Sequence, residues 1–226
     1  MSLLAGAFLT VDFAFLGANI DKIAHGGWLP LVLGLVIFTV MTTWRRGRDL
    51  VIREIKQAGL ALKPFIESIG EHPPLRVPGT AVFLSAQLDA VPHALLHNLK
   101  HNKVLHERVV IVNVVVEDTP LVEAAKRLDV EKLGKGFYTV RIHHGFFETP
   151  DVPQALREAR RFGLAMDVDT ATFFIGRETL VPAEHSELGT FRNRLYRAMA
   201  GAALSPARFY HLPTNRVVEL GTQITI

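Results

Sequence analysis

The chain has 226 residues, which is enough for one ordinary domain and a small additional module. It contains no cysteine, so disulfide bonds and cysteine-ligated metal sites are excluded. The net charge of +3 is small and dispersed, which is a poor basis for binding nucleic acid. Hydrophobic residues make up 49% of the sequence, and the excess is concentrated in the first 44 residues. The remainder has the mixed composition of a globular α/β domain.

Two apolar segments at the start of the chain predict two transmembrane helices, over about residues 3–20 and 28–44. The second segment carries no charged residue and spans roughly 25 Å as a helix, close to the thickness of a bilayer core. Trp28 and Trp44 stand at its two ends, where indole rings favour the membrane interface. The alternative, a buried core helix of a soluble protein, does not account for these tryptophans.

Arginines at positions 45, 46 and 48 follow the second segment directly, and such a cluster marks the cytoplasmic side of a span. We therefore expect residues 45–226 in the cytosol and the link 21–27 outside. The first segment lacks the basic region and cleavage site of a signal peptide. Because the chain begins inside an apolar run, the sequence indicates a truncated gene model, a fragment or a split protein.

Asp12 interrupts the first apolar segment. An ionised carboxylate in the middle of a membrane costs about 3 kcal/mol on insertion scales, so it should face protein or water. It is either an element of a cation or proton path or a carboxyl that hydrogen-bonds a neighbouring helix. Two helices cannot enclose a selective path, so partner helices are required in either case.

The rest of the chain predicts a juxtamembrane helix and a cytosolic domain. Apolar residues at three- and four-residue spacing predict an amphipathic helix over 45–69. The prolines that follow, up to Pro78, indicate a linker. Residues 45–71 are therefore expected to join the membrane part to a domain over 72–226. Strands alternate with helices there, which indicates a layered, mainly parallel α/β sheet. The expected strands are 80–85, 108–116, 137–144, 172–175 and 217–226, the last with a break at Gly221, and the expected helices are 92–102, 120–132, 152–162 and 188–203.

Parallel sheets bind ligands at the carboxyl ends of their strands. The candidate ligand-binding residues at such ends are Ser85, Gln87, Glu117, Asp118 and His143. No glycine-rich phosphate loop follows any of these strands. Glu117 and Asp118 are compatible with a metal or a ribose hydroxyl, but acids at strand ends are also common helix caps.

Histidines recur along the helix predicted at 92–102, at positions 93, 97 and 101. Histidines one turn apart can share a zinc ion, but no acidic ligand stands between them and Lys100 and Lys103 would repel a cation. We therefore expect no metal site and no cofactor. His143 and His144 alternate in a strand and point to opposite faces. No serine lies in a nucleophile elbow, so the sequence does not indicate an enzyme.

Five strings, spread in order over nearly the whole chain, resemble the Kup/HAK/KT family of potassium uptake permeases. They are Gly26–Leu31 (GGWLPL), Met41–Trp44 (MTTW), Arg76–Phe83 (RVPGTAVF), Asn98–Arg108 (NLKHNKVLHER) and Asn215–Gln223 (NRVVELGTQ).

The resemblance implies the last two transmembrane helices and cytosolic tail of a potassium:proton symporter in the bacterial inner membrane. Potassium, protons, the lipid bilayer and the missing N-terminal helices are the implied partners, and the family's ion-binding residues fall outside this sequence. The tail is expected to resemble a universal-stress-protein fold and to serve assembly or regulation. A homodimer and a nucleotide ligand remain open, and the alternative function is a membrane-anchored nucleotide-sensing module.

Overall fold

The structure, a computed structural model, describes residues 2–57, 59–181 and 187–225. Two long helices come first, α1 (Ser2–Lys22) and α2 (Trp28–Gln57), joined by a π-helical turn at Ile23–Gly27. Gly26 has φ of +121° in this turn, a value that glycine reaches without steric strain, and the chain kinks there. The two helices predicted from the apolar segments are therefore present, and the predicted link coincides with the kink.

The apolar side chains of both helices lie on the surface of the chain. Leu35 is 66% exposed and Phe38 is 62% exposed, both on α2. Among the described residues, only the segment His25–Ile55 is long and apolar enough to cross a membrane, since the apolar part of α1, Leu4–Ile20, is shorter. Contiguous apolar surface of this size is suited to lipid or to further helices.

The prediction of a single helix over residues 45–69 is wrong. α2 runs without a break from the apolar segment to Gln57, and a separate helix, α3 (Leu62–Glu71), begins after Ala61, whose backbone is extended. The apolar positions of the two helices pack on different surfaces, which explains the division. Val51 of α2 packs against a later helix, whereas Ile66 of α3 packs on the sheet.

The domain that follows is built on a six-stranded sheet with the order β3-β4-β2-β1-β5-β6. β3 is antiparallel to β4, and all other neighbouring strands are parallel, so the predicted mainly parallel α/β architecture is confirmed. The strands are β1 (Leu75–Leu84), β2 (Val104–Glu117), β3 (Leu128–Gly134), β4 (Phe137–Gly145), β5 (Thr172–Val181) and β6 (Val217–Thr225).

Helices cover both faces of the sheet and bury two apolar clusters. α3 and α4 (His93–Asn102) cover one face, while α5 (Val152–Glu158) and the 3-10 turn after it cover the other. α6 (Gly189–Ala202) packs against α2 through Tyr196, and the short α7 (Pro206–Phe209) precedes β6. The result is a three-layer α/β/α domain to which the first long helix pair is attached through α2.

The helix predicted over residues 120–132 is wrong. This stretch holds one 3-10 turn, Ala124–Lys126, followed by β3. Leu128 and Val130 alternate toward the apolar cluster under the sheet, which is the two-residue period of a strand. The positive φ angles of Gly134 (+89°) and Gly136 (+82°) close the hairpin between β3 and β4.

Two expected interruptions of strands also differ in the structure. Pro78 and Gly79, predicted as linker, lie inside β1, where the register against β2 shifts between Val77 and Thr80. A bulge of this kind tolerates proline because one ladder position is already disrupted. β6 is continuous through Gly221, which pairs with Arg177 of β5, so the predicted break is absent.

Candidate functional site

A cleft opens at the point where the order of the parallel strands reverses. From β1 the chain passes to β2 and β4 on one side, and then crosses to β5 and β6 on the other. Carboxyl ends of strands on either side of such a reversal splay apart and leave room for a ligand. The cleft there has a volume of about 570 Å³, which lies in the range of small-molecule sites.

Backbone and amide hydrogen bonds hold the loop after β1 at the floor of this cleft. The Ser85 N–H donates to the carbonyl of Val112 at 2.8 Å, and the Asn113 Nδ2 donates to the carbonyl of Ser85 at 3.0 Å. The Gln87 N–H donates to Ser85 Oγ at 3.3 Å. Two of the residues predicted at strand ends, Ser85 and Gln87, therefore line the cleft on a loop that is fixed to β2.

His93 and Tyr210 supply polar groups on the other walls. His93 is the first residue of α4, and its Nε2 is buried without a hydrogen-bond partner among the described residues. The amino end of α4, where the helix dipole is positive, also lines the cleft and favours electron-rich ligand groups. Burial raises the pKa of the Tyr210 hydroxyl, which keeps it a neutral donor at physiological pH.

The cleft has the composition of a binding pocket. Its walls are mostly apolar, with a few convergent donors and acceptors, which is the usual composition of a small-molecule pocket. Ser85 Oγ accepts from a backbone N–H and no basic side chain is recorded within hydrogen-bond distance of it, so no nucleophile–base pair is formed among the described residues. A largely apolar ligand with a few hydrogen-bonding groups is complementary to these walls.

A second polar cluster lies on the neighbouring strands and centres on His143. Its Nδ1 is 2.6 Å from Glu117 Oε1, and its Nε2 is 3.0 Å from Asp129 Oδ2. Burial, the largest single contribution, lowers the pKa of His143, but the hydrogen bonds and charges of the two carboxylates together outweigh it and raise that pKa. The cluster ties β2, β4 and the antiparallel β3 together at their ends.

The five candidate residues at strand ends therefore do not form one site. Ser85 and Gln87 line the cleft, whereas Glu117 and His143 belong to the second cluster because β4 lies on the far side of β2 from the strand reversal. Asp118 is exposed beyond the end of β2 and is recorded in neither place. The ion-pathway candidate, Asp12, is exposed in the middle of α1, away from both.

The histidine predictions concern α4 and β4. The rings of His97 and His101 lie 5.6 Å apart between centroids, as the one-turn spacing predicted. Within the described ranges, no group of three or more histidine or acidic side chains is arranged to hold a metal ion. His143 and His144 point to opposite faces as predicted, since His144 is buried while His143 contacts the exposed carboxylate of Asp129.

Several cleft residues were missed from the sequence. Asn113 carried a usable signal, because it is the one polar residue in the apolar run of β2. In the sequence, His93 stands out only for its spacing to other histidines. Tyr210 carries no sequence signal for a binding role, because it reaches the cleft from a turn that is distant in sequence. Glu54 and Ile55 of α2 also line the cleft, because α2 continues past its apolar segment as one helix, where the sequence predicted two separate helices, over 28–44 and 45–69.

α2 connects the apolar segment physically to the cleft. Trp44 and Tyr196 of α6 have ring centroids 5.6 Å apart, and Val51 is completely buried against α6. Farther along α2, the Arg53 guanidinium pairs with Glu187 at 2.9 Å. One continuous helix therefore runs from the exposed apolar surface, across α6, to the wall of the cleft.

Comparisons with known proteins cover both parts of the chain. Residues 78–226 match the family profile of the K+ potassium transporter C-terminal domain, and residues 1–49 match that of the K+ potassium transporter integral membrane domain. The chain is 50% identical over 220 residues to the probable potassium transport system protein Kup 1 of Geobacter sulfurreducens, covering 97% of this chain and 35% of that protein.

A second relative, the probable potassium transport system protein Kup of Thiobacillus denitrificans, is 51% identical over 223 residues, which cover 98% of this chain and 36% of that protein. The corresponding protein of Myxococcus xanthus is 45% identical over 221 residues, 98% of this chain and 34% of its own length. The chain thus spans about a third of the length of these relatives. No solved structure matches it.

Proposed function

We propose that this chain, which belongs to the Kup family of potassium transporters, forms the C-terminal part of a potassium:proton symporter, with two membrane helices and a regulatory tail. The observation that carries the proposal is the continuity of α2, which extends from the exposed apolar segment to the wall of the ligand cleft. Any ligand that fills the cleft contacts the same helix that leaves the membrane.

The membrane helices need partners to take part in transport. α1 and α2 expose their apolar side chains, so bilayer lipid and the N-terminal helices of the transporter are proposed to cover them. A potassium path replaces the hydration shell of the ion with oxygen ligands from several segments, which two apolar helices do not provide. Asp12 is the residue of this part that we propose as a contact to an ion or proton path.

The tail is proposed to lie in the cytoplasm of a bacterial cell, beneath the inner membrane. Arg45, Arg46 and Arg48 follow Trp44 on α2, at the end of the apolar segment. Positive residues within one turn of a span are retained on the cytoplasmic side. This charge distribution supports an orientation in which the cleft, α6 and the sheet face the cytosol.

The orientation is tested with reporters fused after residue 226 of the full chain. A reporter that is active only in the cytoplasm is expected to be active, and one that needs export is expected to be silent. A matched pair of fusions after residue 24 should give the opposite pattern, because the turn between the helices lies outside. An exported reporter that is active at the C-terminus would contradict the orientation.

A nucleotide-sensing role is a second candidate, and the geometry of the cleft favours it. The cleft lies at the strand reversal, is bounded by the amino end of α4, and holds an imidazole nitrogen of His93 that has no hydrogen-bond partner among the described residues. Since no glycine-rich loop follows β1, a bound nucleotide would be held mainly through its base and sugar. Ligand binding would then change how α2 is held against the tail.

Calorimetric titration of the full chain in detergent with adenine nucleotides and cyclic dinucleotides tests this candidate. Ala86 is exposed on the rim of the cleft, so Ala86→Trp should fill the cleft without disturbing the core. Saturable binding is expected for the unmodified chain and for the control Ala125→Trp, which lies on an exposed turn elsewhere, and loss is expected for Ala86→Trp. Absence of binding by every nucleotide would leave assembly as the role of the tail.

A further inference from the structure

The position of α6 is fixed relative to the end of the apolar segment of α2. Tyr196 is 2% exposed and packs beside Trp44 and Gly47, and Thr43 is completely buried on the same side. These α2 residues lie at the point where the uncharged run ends. The part of α6 around Tyr196 therefore lies near the cytoplasmic membrane surface if α2 crosses a bilayer, and the first turn of α6 lies farther from it, beside Arg53.

The outer surface of α6 is basic and partly apolar. The helix carries Arg192, Arg194 and Arg197 and no acidic residue. Arg194 and Arg197 are exposed, and Phe191, in the first turn, is 71% exposed. A basic helix with an exposed aromatic residue is typical of segments that lie in a membrane interface.

α2 carries further exposed arginines close to α6. Arg45 and Arg46 are exposed immediately after Trp44. No ion pair is recorded for these two arginines or for the three of α6 within the part of the chain that the structure describes. Five guanidinium groups on two adjoining helices, with no carboxylate partner among the described residues, are complementary to phosphate groups.

We propose that α6, together with the start of the cytoplasmic part of α2, docks on anionic phospholipid headgroups at the inner membrane surface. This rests on the proposed function only in that α2 crosses the membrane. The guanidinium groups bind lipid phosphates from the cytoplasmic side. Because Glu187, just before α6, pairs with Arg53, docking also restrains the segment of α2 that leads to the cleft.

Phosphate chemistry alone does not identify a membrane, so the test separates lipid from free phosphate. The full chain is reconstituted in nanodiscs of neutral lipid or of neutral lipid with phosphatidylglycerol. It contains no native cysteine, so Ala198→Cys, which is exposed one turn after Arg194, takes a single fluorophore. Quenching of this label by a nitroxide on the lipid headgroups reports docking, and co-purification with the discs reports insertion of α2 separately.

Quenching is expected to be stronger in anionic discs than in neutral ones and to weaken in high salt. Replacing all three α6 arginines by glutamine should lower the docking equilibrium on the order of 100-fold, whereas replacement by lysine should preserve it. The matched control replaces three exposed arginines elsewhere, Arg160, Arg161 and Arg216, by glutamine and should dock normally.

Equal quenching in neutral and anionic discs, or none in either while the chain remains inserted, would overturn the proposal. The proposal would also be overturned if inorganic phosphate abolished the quenching at an ionic strength at which sodium chloride has no effect on it. That result would identify a site for free phosphate. Failure of the chain to co-purify with any disc would instead refute the membrane crossing of α2, and with it the proposed function.

Discussion

Replacing Gly47 by leucine is expected to separate α2 from α6 and to lower the thermal stability of the chain. A side chain built on Gly47 overlaps the ring of Tyr196, with two ring carbons only 2.5 Å from the new Cβ. Tyr196 is 2% exposed and packs with Val51 and Leu188, so its ring has little room to move. Overpacking of this kind costs about 1–3 kcal/mol.

The melting temperature of the purified full chain should fall by about 2–12 °C, given about 2–4 °C per kcal/mol for a domain of this size. The fluorescence of Trp44, one of two tryptophans in the chain, should also report the loss of its contact with Tyr196. Gly34→Leu is the matched control, because it lies on the same helix with nothing within 4 Å of its Cβ. If Gly47→Leu melts like Gly34→Leu, α2 is not packed on α6.

Replacing Gly136 by alanine is expected to destabilise the tail more than the same change at Gly163. Both glycines have positive φ angles, +82° and +89°, so alanine costs about 1–2 kcal/mol of backbone strain at either site. At Gly136 the new Cβ also overlaps the carbonyl oxygen of Glu107 on β2, which is backbone and cannot rotate away. At Gly163 no atom of the described residues lies within 4 Å of the new Cβ.

The total cost at Gly136 should therefore reach about 3 kcal/mol or more, and the excess over Gly163 measures the close approach of the hairpin to β2. Denaturant unfolding of the two variants and of the unmodified chain gives both values directly. Equal destabilisation of the two variants would mean that the turn between β3 and β4 does not contact β2 as the structure has it.

The strands in the centre of the sheet could be predicted because their sequence leaves little choice. Residues 109–112 are all buried on β2, and a short β-branched run of this kind forms a strand with helices on both faces. α4, α5 and α6 followed equally from their apolar spacing. These elements are determined locally, so the period of the pattern was sufficient.

The β3 hairpin could not be predicted in the same way. Pro120 after Asp118 and Thr119 resembled the start of a helix, and the short apolar alternation of Leu128 and Val130 was too weak to outweigh it. β3 is antiparallel on the edge of the sheet, where pairing with β4 compensates for a weak pattern. Gly134 and Gly136, which both have positive φ angles, are the turn signal between β3 and β4 in this stretch.

The candidate site was predicted only in part, since its assembly depends on strand order. The sequence identified strand ends correctly, but it could not tell that β1 borders the reversal while β4 lies beyond β2. Ser85 and His143 therefore looked equivalent and are not. The contribution of α2 through Glu54 and Ile55 depends on the length of a helix that continues past its apolar segment.

The central claim, that the chain completes a potassium:proton symporter and does not transport alone, is tested by uptake of rubidium as a potassium tracer. The assay uses a potassium-uptake-deficient strain that expresses either this chain alone or a chimera. In the chimera this chain replaces the corresponding third of Kup 1 of Geobacter sulfurreducens, with which it shares 50% identity. The account predicts uptake and growth at low potassium with the chimera and neither with the chain alone. Uptake by the chain alone, or an inactive chimera that is nevertheless inserted and stable in the membrane, would contradict it.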